Sequence, residues 1–596
     1  MKSKTTALWF VLALALATAI WLLNTFFQRA TTGEKPLFPG LHIEDVTRID
    51  IVPGGGREFS MVRTNNLWQL DQPLQYPAQA TAVNELLKAL KGLTPVLSLS
   101  AGELNGQKNA ESEMGFDNPQ FIIDLTGGDQ PCHLKVGNKT APGDGVYVQV
   151  VGTTGAAVTD IAWLQLLHHA AQDWRDTALV DVPDVVDWLV ITNGSQAIDL
   201  RRDITNRVWR MVSPLQARAN NLLIVTALQQ LSGASVSRFV SDDPKADLTP
   251  YGLQPPALDV WLGAGTNLLT AFHGGKDVSD SPGDMYARRE GWNTVVTTAK
   301  EPLAPWRSEV NLFRDPNLFE LTAAPAEIEV HGESSFTLQQ RASNVWTVAG
   351  EKFPVDSDQV AGLIHQLASL RIADFVQDAP TASGLQAYGL ANPTNQIILR
   401  SAIGDTNRVI AQLLFGATST NNEEFTKRAD EDFVYAVALR DINQLTLVPD
   451  FYRDRRVWNF SETNVSEVTV HQNGKTRQMI RTGTNDWSLA AGSQGIINPP
   501  AIEETIHRLG QLEVQGWLGR KTPPDQIGFT TNSLSITVEL KTGEKYTLDF
   551  GRQIVSQYGQ FPLAVVTLEG ERWPFVFPAV LYPLVAENLT IPPNTP

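Results

Sequence analysis

The sequence contains very little cysteine and no excess of basic residues. Cys132 is the only cysteine in 596 residues, so no disulfide can form within the chain, and we expect it to be a small buried apolar side chain. Acidic residues outnumber basic ones, with 64 Asp and Glu against 47 Lys and Arg and a formal net charge of −17. This balance argues against nucleic acid as a partner, because phosphate binding needs a basic surface.

The sequence also lacks the signatures of common catalytic and metal sites. Its nine histidines do not show the His-Glu-x-x-His spacing of zinc hydrolases, and Cys-x-x-Cys and Gly-x-Ser-x-Gly motifs are missing. Gly54-Gly55-Gly56 is not followed by the Lys-Ser/Thr of a phosphate-binding loop, so we interpret it as a hairpin turn. We therefore predict no catalytic residue, no cofactor-binding residue, no metal ligand and no cofactor, and we do not expect an enzyme.

Two weaker candidate sites have simpler structural explanations. The run Asp277 to Asp284 offers several oxygen ligands for Ca²⁺, but it lacks the glycine and the final glutamate of the helix-loop-helix calcium pattern. A solvated loop is therefore favoured. The doublet His168-His169 is interpreted as a surface or helix-capping feature.

A long apolar run lies at the start of the chain. Residues 5–28 carry no charge, and 7–23 are almost continuously apolar. As a helix of about 22 residues, this segment would cross roughly 30 Å of hydrocarbon. Lys2 and Lys4 precede it, which predicts a single-pass bacterial inner-membrane protein with a cytoplasmic N-terminus and a periplasmic body. Ala13-Leu14-Ala15 resembles a signal-peptide cleavage site, so a cleaved export signal is the alternative.

Four copies of one pattern fill the rest of the chain. Each copy has an alternating apolar strand, then a tryptophan that closes a short strand, then an amphipathic helix. In the first copy the apolar helix face is Val83, Leu86, Leu87, Leu90 and Leu93, spaced i, i+3, i+4, i+7 and i+10. The tryptophans recur at intervals of 141, 137 and 141 residues, at Trp68, Trp209, Trp346 and Trp487.

An Arg-Asp pair marks the passage from each copy to the next. The pairs are Arg175-Asp176, Arg314-Asp315 and Arg453-Asp454, and the fourth copy has none. Terminal repeats are often atypical because they cap the stack. We interpret the pair as a linker ion pair or turn that sets the orientation of successive units.

The predicted fold class is α+β, with an N-terminal transmembrane helix followed by four tandem repeats of mostly antiparallel sheet with one or two helices each. The predicted boundaries are a transmembrane anchor at 1–28, a linker at 29–41, and repeat units at 42–186, 187–323, 324–460 and 461–592, the last a degenerate cap.

The series of motifs resembles a known family. Each of the first three copies has a Gly-Leu/Phe turn before a proline, as in Gly252-Leu253-Gln254-Pro255, and a later strand with Tyr147, Tyr286 or Tyr435. Together with the tryptophans and the Arg-Asp pairs, this resembles the bacterial family of domain of unknown function 4340. The resemblance implies one membrane segment, repeated extracytoplasmic units and an association with gliding-type ABC transporter components. It implies no catalytic or ligand-binding residue.

Three functional hypotheses follow. The preferred one is a non-enzymatic, membrane-anchored extracytoplasmic scaffold that contacts ABC transporter subunits or another cell-envelope complex, because long repeated surfaces suit binding. The second is an envelope carbohydrate-binding or carbohydrate-processing protein that uses the four tryptophans as stacking platforms. The third is a sensor with a ligand between adjacent units.

Overall fold

The computed structural model describes residues 35–106, 109–128, 132–168, 170–403, 406–530, 532–556 and 559–591. The chain forms two compact units, an N-terminal unit, Met1–Asp315, and a C-terminal unit, Pro316–Pro596. Each unit contains two antiparallel sheets of eight or nine strands, and each of these sheets is one repeat.

Repeat 1 is a nine-stranded sheet in the order β4-β3-β2-β1-β6-β7-β8-β9-β5. Its strands are β1 (Arg48–Pro53), β2 (Phe59–Thr64), β3 (Leu67–Gln72), β4 (Tyr76–Pro77), β5 (Leu97–Leu99), β6 (Phe121–Thr126), β7 (Cys132–Lys139), β8 (Gly145–Val150) and β9 (Ala156–Asp160). Its helices are α1 (Ala80–Lys91), α2 (Ala101–Gly106) and α3 (Ala110–Glu113).

Repeat 2 has the same order, β13-β12-β11-β10-β15-β16-β17-β18-β14. Its strands are β10 (Trp188–Asn193), β11 (Gln196–Arg202), β12 (Trp209–Ser213), β13 (Ala217–Arg218), β14 (Val236–Ser241), β15 (Leu258–Ala264), β16 (Asn267–Val278), β17 (Ser281–Arg289) and β18 (Val295–Ala299). Its helix is α4 (Asn221–Ser232).

Repeat 3 has eight strands in the order β21-β20-β19-β23-β24-β25-β26-β22. The strands are β19 (Glu327–His331), β20 (Phe336–Ala342), β21 (Val345–Val348), β22 (Ile372–Asp378), β23 (Asn395–Ile403), β24 (Thr406–Thr418), β25 (Glu423–Arg428) and β26 (Phe433–Ala438). The helices are α5 (Ser357–Ser369), α6 (Ala382–Ala387) and α7 (Leu439–Ile442).

Repeat 4 also has eight strands, in the order β29-β28-β27-β32-β33-β34-β35-β31. They are β27 (Val465–Gln472), β28 (Lys475–Arg481), β29 (Trp487–Leu489), β31 (Gly516–Trp517), β32 (Ser535–Leu540), β33 (Lys545–Ser556), β34 (Gly559–Leu568) and β35 (Glu571–Val576), while β30 (Ile496–Ile497) pairs separately with β36 (Thr590–Ile591). The helices are α8 (Pro499–Gly510), α9 (Pro524–Ile527) and α10 (Tyr582–Ala586).

One long helix covers each sheet, and its apolar stripe forms the core. In α1 the buried residues are Val83, Leu86, Leu87 and Leu90, as the spacing predicts. In strand β1, buried side chains alternate with partly exposed ones, and Ile49 and Ile51 are fully buried. Burying one such side chain contributes about 1.5 to 3 kcal/mol, so the helix and the sheet hold each other in place.

The four sheets share one strand order, which confirms the predicted tandem repeats. In each, the first strand pairs with the strand that follows the helical region, as β1 does with β6 and β19 with β23. Repeats 3 and 4 lack only the short edge strand that β4 and β13 provide.

The predicted fold class is wrong as it was stated, because it combined the repeats with an N-terminal transmembrane helix. The described residues form antiparallel sheets of eight or nine strands, and none of their helices is long and apolar enough to span a membrane. The longest, α5, has 13 residues, which span about 20 Å at 1.5 Å per residue. Such helices are amphipathic covers of a sheet. The segment 1–28, for which the anchor was predicted, lies outside the described residues.

Candidate functional site at the repeat junctions

The Arg-Asp pairs lie where the chain leaves one repeat for the next. A short 3₁₀ turn, Ala171–Trp174, precedes Arg175, and Pro449–Tyr452 precedes Arg453. The following aspartates donate backbone N–H bonds to Pro77 and Pro354, at 2.8 Å in both cases. The exit segment is therefore held beside the tryptophan-bearing edge of its own repeat, and its arginine is directed to the next repeat.

The N-terminal junction joins repeats 1 and 2 through Tyr76, Arg175, Phe239, Asp242 and Arg289. Arg175 is only 4% exposed, and its Nη2 donates to Asp242 Oδ2 at 2.7 Å. Its guanidinium carbon lies 4.4 Å from the Phe239 ring centre and 5.7 Å from that of Tyr76. A buried charge is costly unless it is paired, so this contact tightly restricts how repeat 2 can sit against repeat 1.

A second arginine crosses the N-terminal junction in the opposite direction. Arg289 of repeat 2 donates to Asp176 Oδ2 at 2.8 Å and to the carbonyl of Leu179 at 2.7 Å. Asp176 is therefore not the partner of Arg175, and each member of the predicted linker ion pair binds a different residue of repeat 2. Tyr76 lies 5.6 Å from the Arg289 guanidinium, and burial raises the pKa of its hydroxyl.

The C-terminal junction joins repeats 3 and 4 through Arg453, which is 2% exposed. The guanidinium donates to both carboxylate oxygens of Glu569, at 2.7 and 3.1 Å. Three rings surround it, with centres 4.3 Å away for Trp573, 5.2 Å for Trp517 and 5.7 Å for Phe353. Planar guanidinium groups stack on aromatic faces and bind carboxylates through two bonds, which lysine cannot reproduce.

Arg520 lies on the same aromatic cluster, with its guanidinium 4.9 Å from the Trp573 ring centre. It donates to Glu351 at 2.7 and 3.0 Å, to Glu571 at 2.6 Å and to Asp450 at 3.0 Å. These hydrogen bonds, the one to Glu351 above all, raise the pKa of Arg520. Glu351 is in repeat 3 and Glu571 is in repeat 4, so this side chain also connects the two sheets.

Family comparison agrees with this repeat organisation. A model of the family described as domain of unknown function (DUF4340) matches residues 68–203, 209–344 and 346–532, which is more than half of the chain. The chain belongs to the DUF4340 family. No curated protein and no solved structure matches it.

The three family segments are offset from the folded repeats. They begin at Trp68, Trp209 and Trp346, inside β3, β12 and β21. The first two segments then end after the opening hairpin of the next sheet, β10–β11 and β19–β20. The first two segments have about the length of a repeat and contain Arg175-Asp176 and Arg314-Asp315 in their final third, while the longer third segment contains Arg453-Asp454. Each matched segment therefore includes one Arg-Asp junction.

The repeat tryptophans are core residues in the structure. Trp68, Trp209, Trp346 and Trp487 are 4%, 1%, 6% and 5% exposed. Sugar stacking needs an open aromatic face. These positions therefore offer no sugar-stacking platform of the kind the carbohydrate hypothesis assumed.

The remaining sequence candidates are built into hairpins and cores. Asp277 accepts a 2.8 Å hydrogen bond from Lys300, which lowers the pKa of its carboxyl. Burial raises the pKa of the Cys132 thiol to about 12. His168 meets the Trp174 ring edge-on, while His169 lies outside the described residues. Across the described ranges, no group of three or more His, Cys, Asp or Glu residues is arranged to hold a metal ion.

Sequence reasoning found the junction arginines but missed their partners. Asp242, Arg289, Glu569 and Arg520 lie 67 to 116 residues from the exit segment residues that they bind. No local motif marks them. Arg289 ends β17, and Asp242 and Glu569 directly follow β14 and β34, so it is the packing of these strands that brings the side chains to the junctions.

Proposed function

We propose that the chain is an extracytoplasmic, non-enzymatic scaffold whose repeats bind a membrane transporter complex. The observation that supports this most directly is the buried arginine at the junction inside each unit. Arg175 and Arg453 each insert into the following repeat and are neutralised there. Two sheets joined in this way present one continuous surface of fixed shape, which suits protein binding.

The transporter as partner and the location outside the cytoplasm are suggested by sequence. The family resemblance suggests ABC transporter subunits, and the apolar run at residues 7–23 suggests export. The net charge of −17 favours partners with basic surfaces over nucleic acid.

Gentle crosslinking in cells, followed by affinity purification and mass spectrometry, tests this proposal. We expect the permease and ATPase subunits of one transporter to be enriched over a control purification of an unrelated exported protein. Recovery without any transport component, from cells in which the chain is folded and abundant, would contradict the proposal.

The junctions supply a matched variant for the same experiment. Arg453→Ala should reduce partner recovery because it loosens the C-terminal unit, whereas Arg440→Ala, on an 86% exposed side chain, should leave it unchanged. Equal recovery by both variants would mean that a fixed arrangement of repeats is not required for binding.

A further inference from the structure

In three of the four repeats, an arginine lies against the repeat tryptophan from the neighbouring strand. The cross-strand partners are Arg63 for Trp68, Arg202 for Trp209 and Arg481 for Trp487. Their guanidinium carbons lie 5.8, 5.9 and 4.6 Å from the respective ring centres. The outer side of the tryptophan is thus a place where this fold accepts a guanidinium group.

In repeats 1 and 4, backbone carbonyls at the start of the repeat accept hydrogen bonds from this arginine. Arg63 donates to the carbonyl of Glu44 at 3.1 Å, just before β1. Arg481 donates to the carbonyls of Glu462 at 3.0 Å and Val465 at 2.8 Å, where β27 begins. It also binds both oxygens of Glu503 on α8, at 2.7 and 3.1 Å.

Repeat 3 departs from this arrangement. The residue opposite Trp346 is Gln340, and within the described chain no cationic side chain lies over the Trp346 ring. The neighbouring Arg341 points to the other face of the sheet, where it donates to Gln339 at 2.7 Å. On α5, Ala361 follows the buried Val360 as Glu503 follows the buried Ile502 on α8, so the carboxylate is also replaced.

These two replacements leave an open groove of about 630 Å³ beside Trp346. Its walls are the segment 321–325, Gln340, Trp346, and Ala361 and His365 of α5. Residues 321–324 correspond to the segment whose carbonyls bind Arg63 and Arg481. Among the described residues, none donates a hydrogen bond to the carbonyls of 321–324.

We infer that this groove binds an arginine side chain presented by another polypeptide. The incoming guanidinium lies against the part of the Trp346 side chain that borders the groove and donates to the carbonyls of 321–324, as Arg63 and Arg481 do beside their own tryptophans in repeats 1 and 4. A lysine fits less well, because its ammonium group neither stacks as a plane nor reaches several carbonyls at once. The choice of a protein ligand rests on the proposed scaffold function.

Titration of the purified full chain with two short peptides tests the inference. The probes are acetyl-Gly-Arg-Gly-amide and acetyl-Gly-Lys-Gly-amide, and the readout is the indole N–H resonance of Trp346, assigned by its loss in Trp346→Phe. We expect a saturable shift with the arginine peptide and at least tenfold weaker binding of the lysine peptide. Equal shifts with both peptides, or none with arginine, would overturn the inference.

The internal arginine of the other repeats provides the decisive variant. Gln340→Arg should place a guanidinium on Trp346 and weaken the arginine peptide at least tenfold. Gln339→Arg, the same change on the opposite face of β20, is the matched control and should bind like the unaltered chain. Ala361→Leu fills the groove without a charge and should also weaken binding. Undiminished binding by both groove variants would rule the site out.

The peptide titration tests the groove and the transporter purification tests the proposed partner, so one hypothesis can be rejected while the other is retained. Peptide binding without transporter recovery would retain the groove and reject the proposed partner. Transporter recovery that is equal for Gln340→Arg and Gln339→Arg, together with no peptide binding, would retain the scaffold and reject the groove.

Discussion

Arg175 in the N-terminal unit and Arg453 in the C-terminal unit occupy the same place in their repeats, yet they meet different countercharges. Arg175 pairs with Asp242, which follows β14, whereas Arg453 pairs with Glu569, in the turn after β34. Asp242 lies three residues after Phe239, and three residues after the corresponding Trp517 the C-terminal unit has Arg520. The position that holds the carboxylate of Asp242 at the N-terminal junction therefore holds a second cation, Arg520, at the C-terminal junction.

The other charged residues around the arginines also differ between the two junctions. The N-terminal junction pairs Arg175 and Arg289 with the two aspartates Asp242 and Asp176. The C-terminal junction surrounds its two arginines with four carboxylates, those of Glu351, Asp450, Glu569 and Glu571. The segment that leaves each repeat determines where its arginine is buried. The countercharge can come from any strand end that lies within reach of the guanidinium.

Removing the arginine should have the largest effect. Arg453→Ala removes a buried side chain that three aromatic rings surround, opens a cavity between the repeats and leaves Glu569, whose side chain is 36% exposed, without its partner. We expect the free energy of unfolding of the C-terminal unit to fall by about 3 to 5 kcal/mol, measured by urea-induced unfolding. Arg440→Ala, at an exposed side chain, is the control and should lower the free energy of unfolding by less than about 0.5 kcal/mol. A loss as small as that of the control would mean that the junction does not stabilise the unit.

Exchanging the countercharge pattern should have the next largest effect. Arg520→Asp gives the C-terminal junction the residue of the N-terminal one but leaves Glu351, Asp450 and Glu571 without their cation. A destabilisation of about 2 to 3 kcal/mol is expected, because hydrogen bonds to charged groups contribute on that order. Lys521→Asp, on the adjacent exposed residue, is the control. If both variants lose the same free energy of unfolding, the difference in charge pattern between the junctions does not affect stability.

Neutralising one carboxylate should have a moderate effect. Asp242→Asn keeps a hydrogen-bond acceptor for Arg175 but removes the charge, and the aspartate side chain is 36% exposed. The N-terminal unit should lose about 1 kcal/mol, and less at high salt, which screens exposed charges. Asp184→Asn, on an exposed residue of the same unit, should change nothing measurable. A loss that is independent of salt would argue against an electrostatic cause.

The smallest effect concerns the ring that differs between the junctions, Tyr76 in one and Phe353 in the other. Burial raises the pKa of Tyr76 in the folded state above its unfolded value of about 10. Its contribution to stability is therefore complete below pH 10 and declines as the pH rises further. Tyr76→Phe should match the unaltered chain at pH 8 and lose less stability near pH 11 in urea unfolding. Parallel pH curves would show that the pKa of this hydroxyl is the same in the folded and the unfolded chain.

Much of the repeat could be predicted because its signals are local. The alternation of Ile49 and Ile51 and the spacing of Val83, Leu86 and Leu90 follow from the periods of strand and helix. The tryptophan and Arg-Asp intervals identified four copies. The partners of Arg175 and Arg453 could not be predicted, because they come from distant strands that only the packed sheets bring together.

The sequence by itself determined the number of repeats, their apolar faces and the positions of the junction arginines. Only the tertiary structure decided which side chain faces each tryptophan. Arg341 and Arg63 both lie five residues before their tryptophans, and spacing alone would equate them. A register shift between Gln340 and Ala342 instead puts Gln340 opposite Trp346. Neighbouring residues of a strand point to opposite faces, so a shift of one residue exchanges a guanidinium for an amide beside the ring.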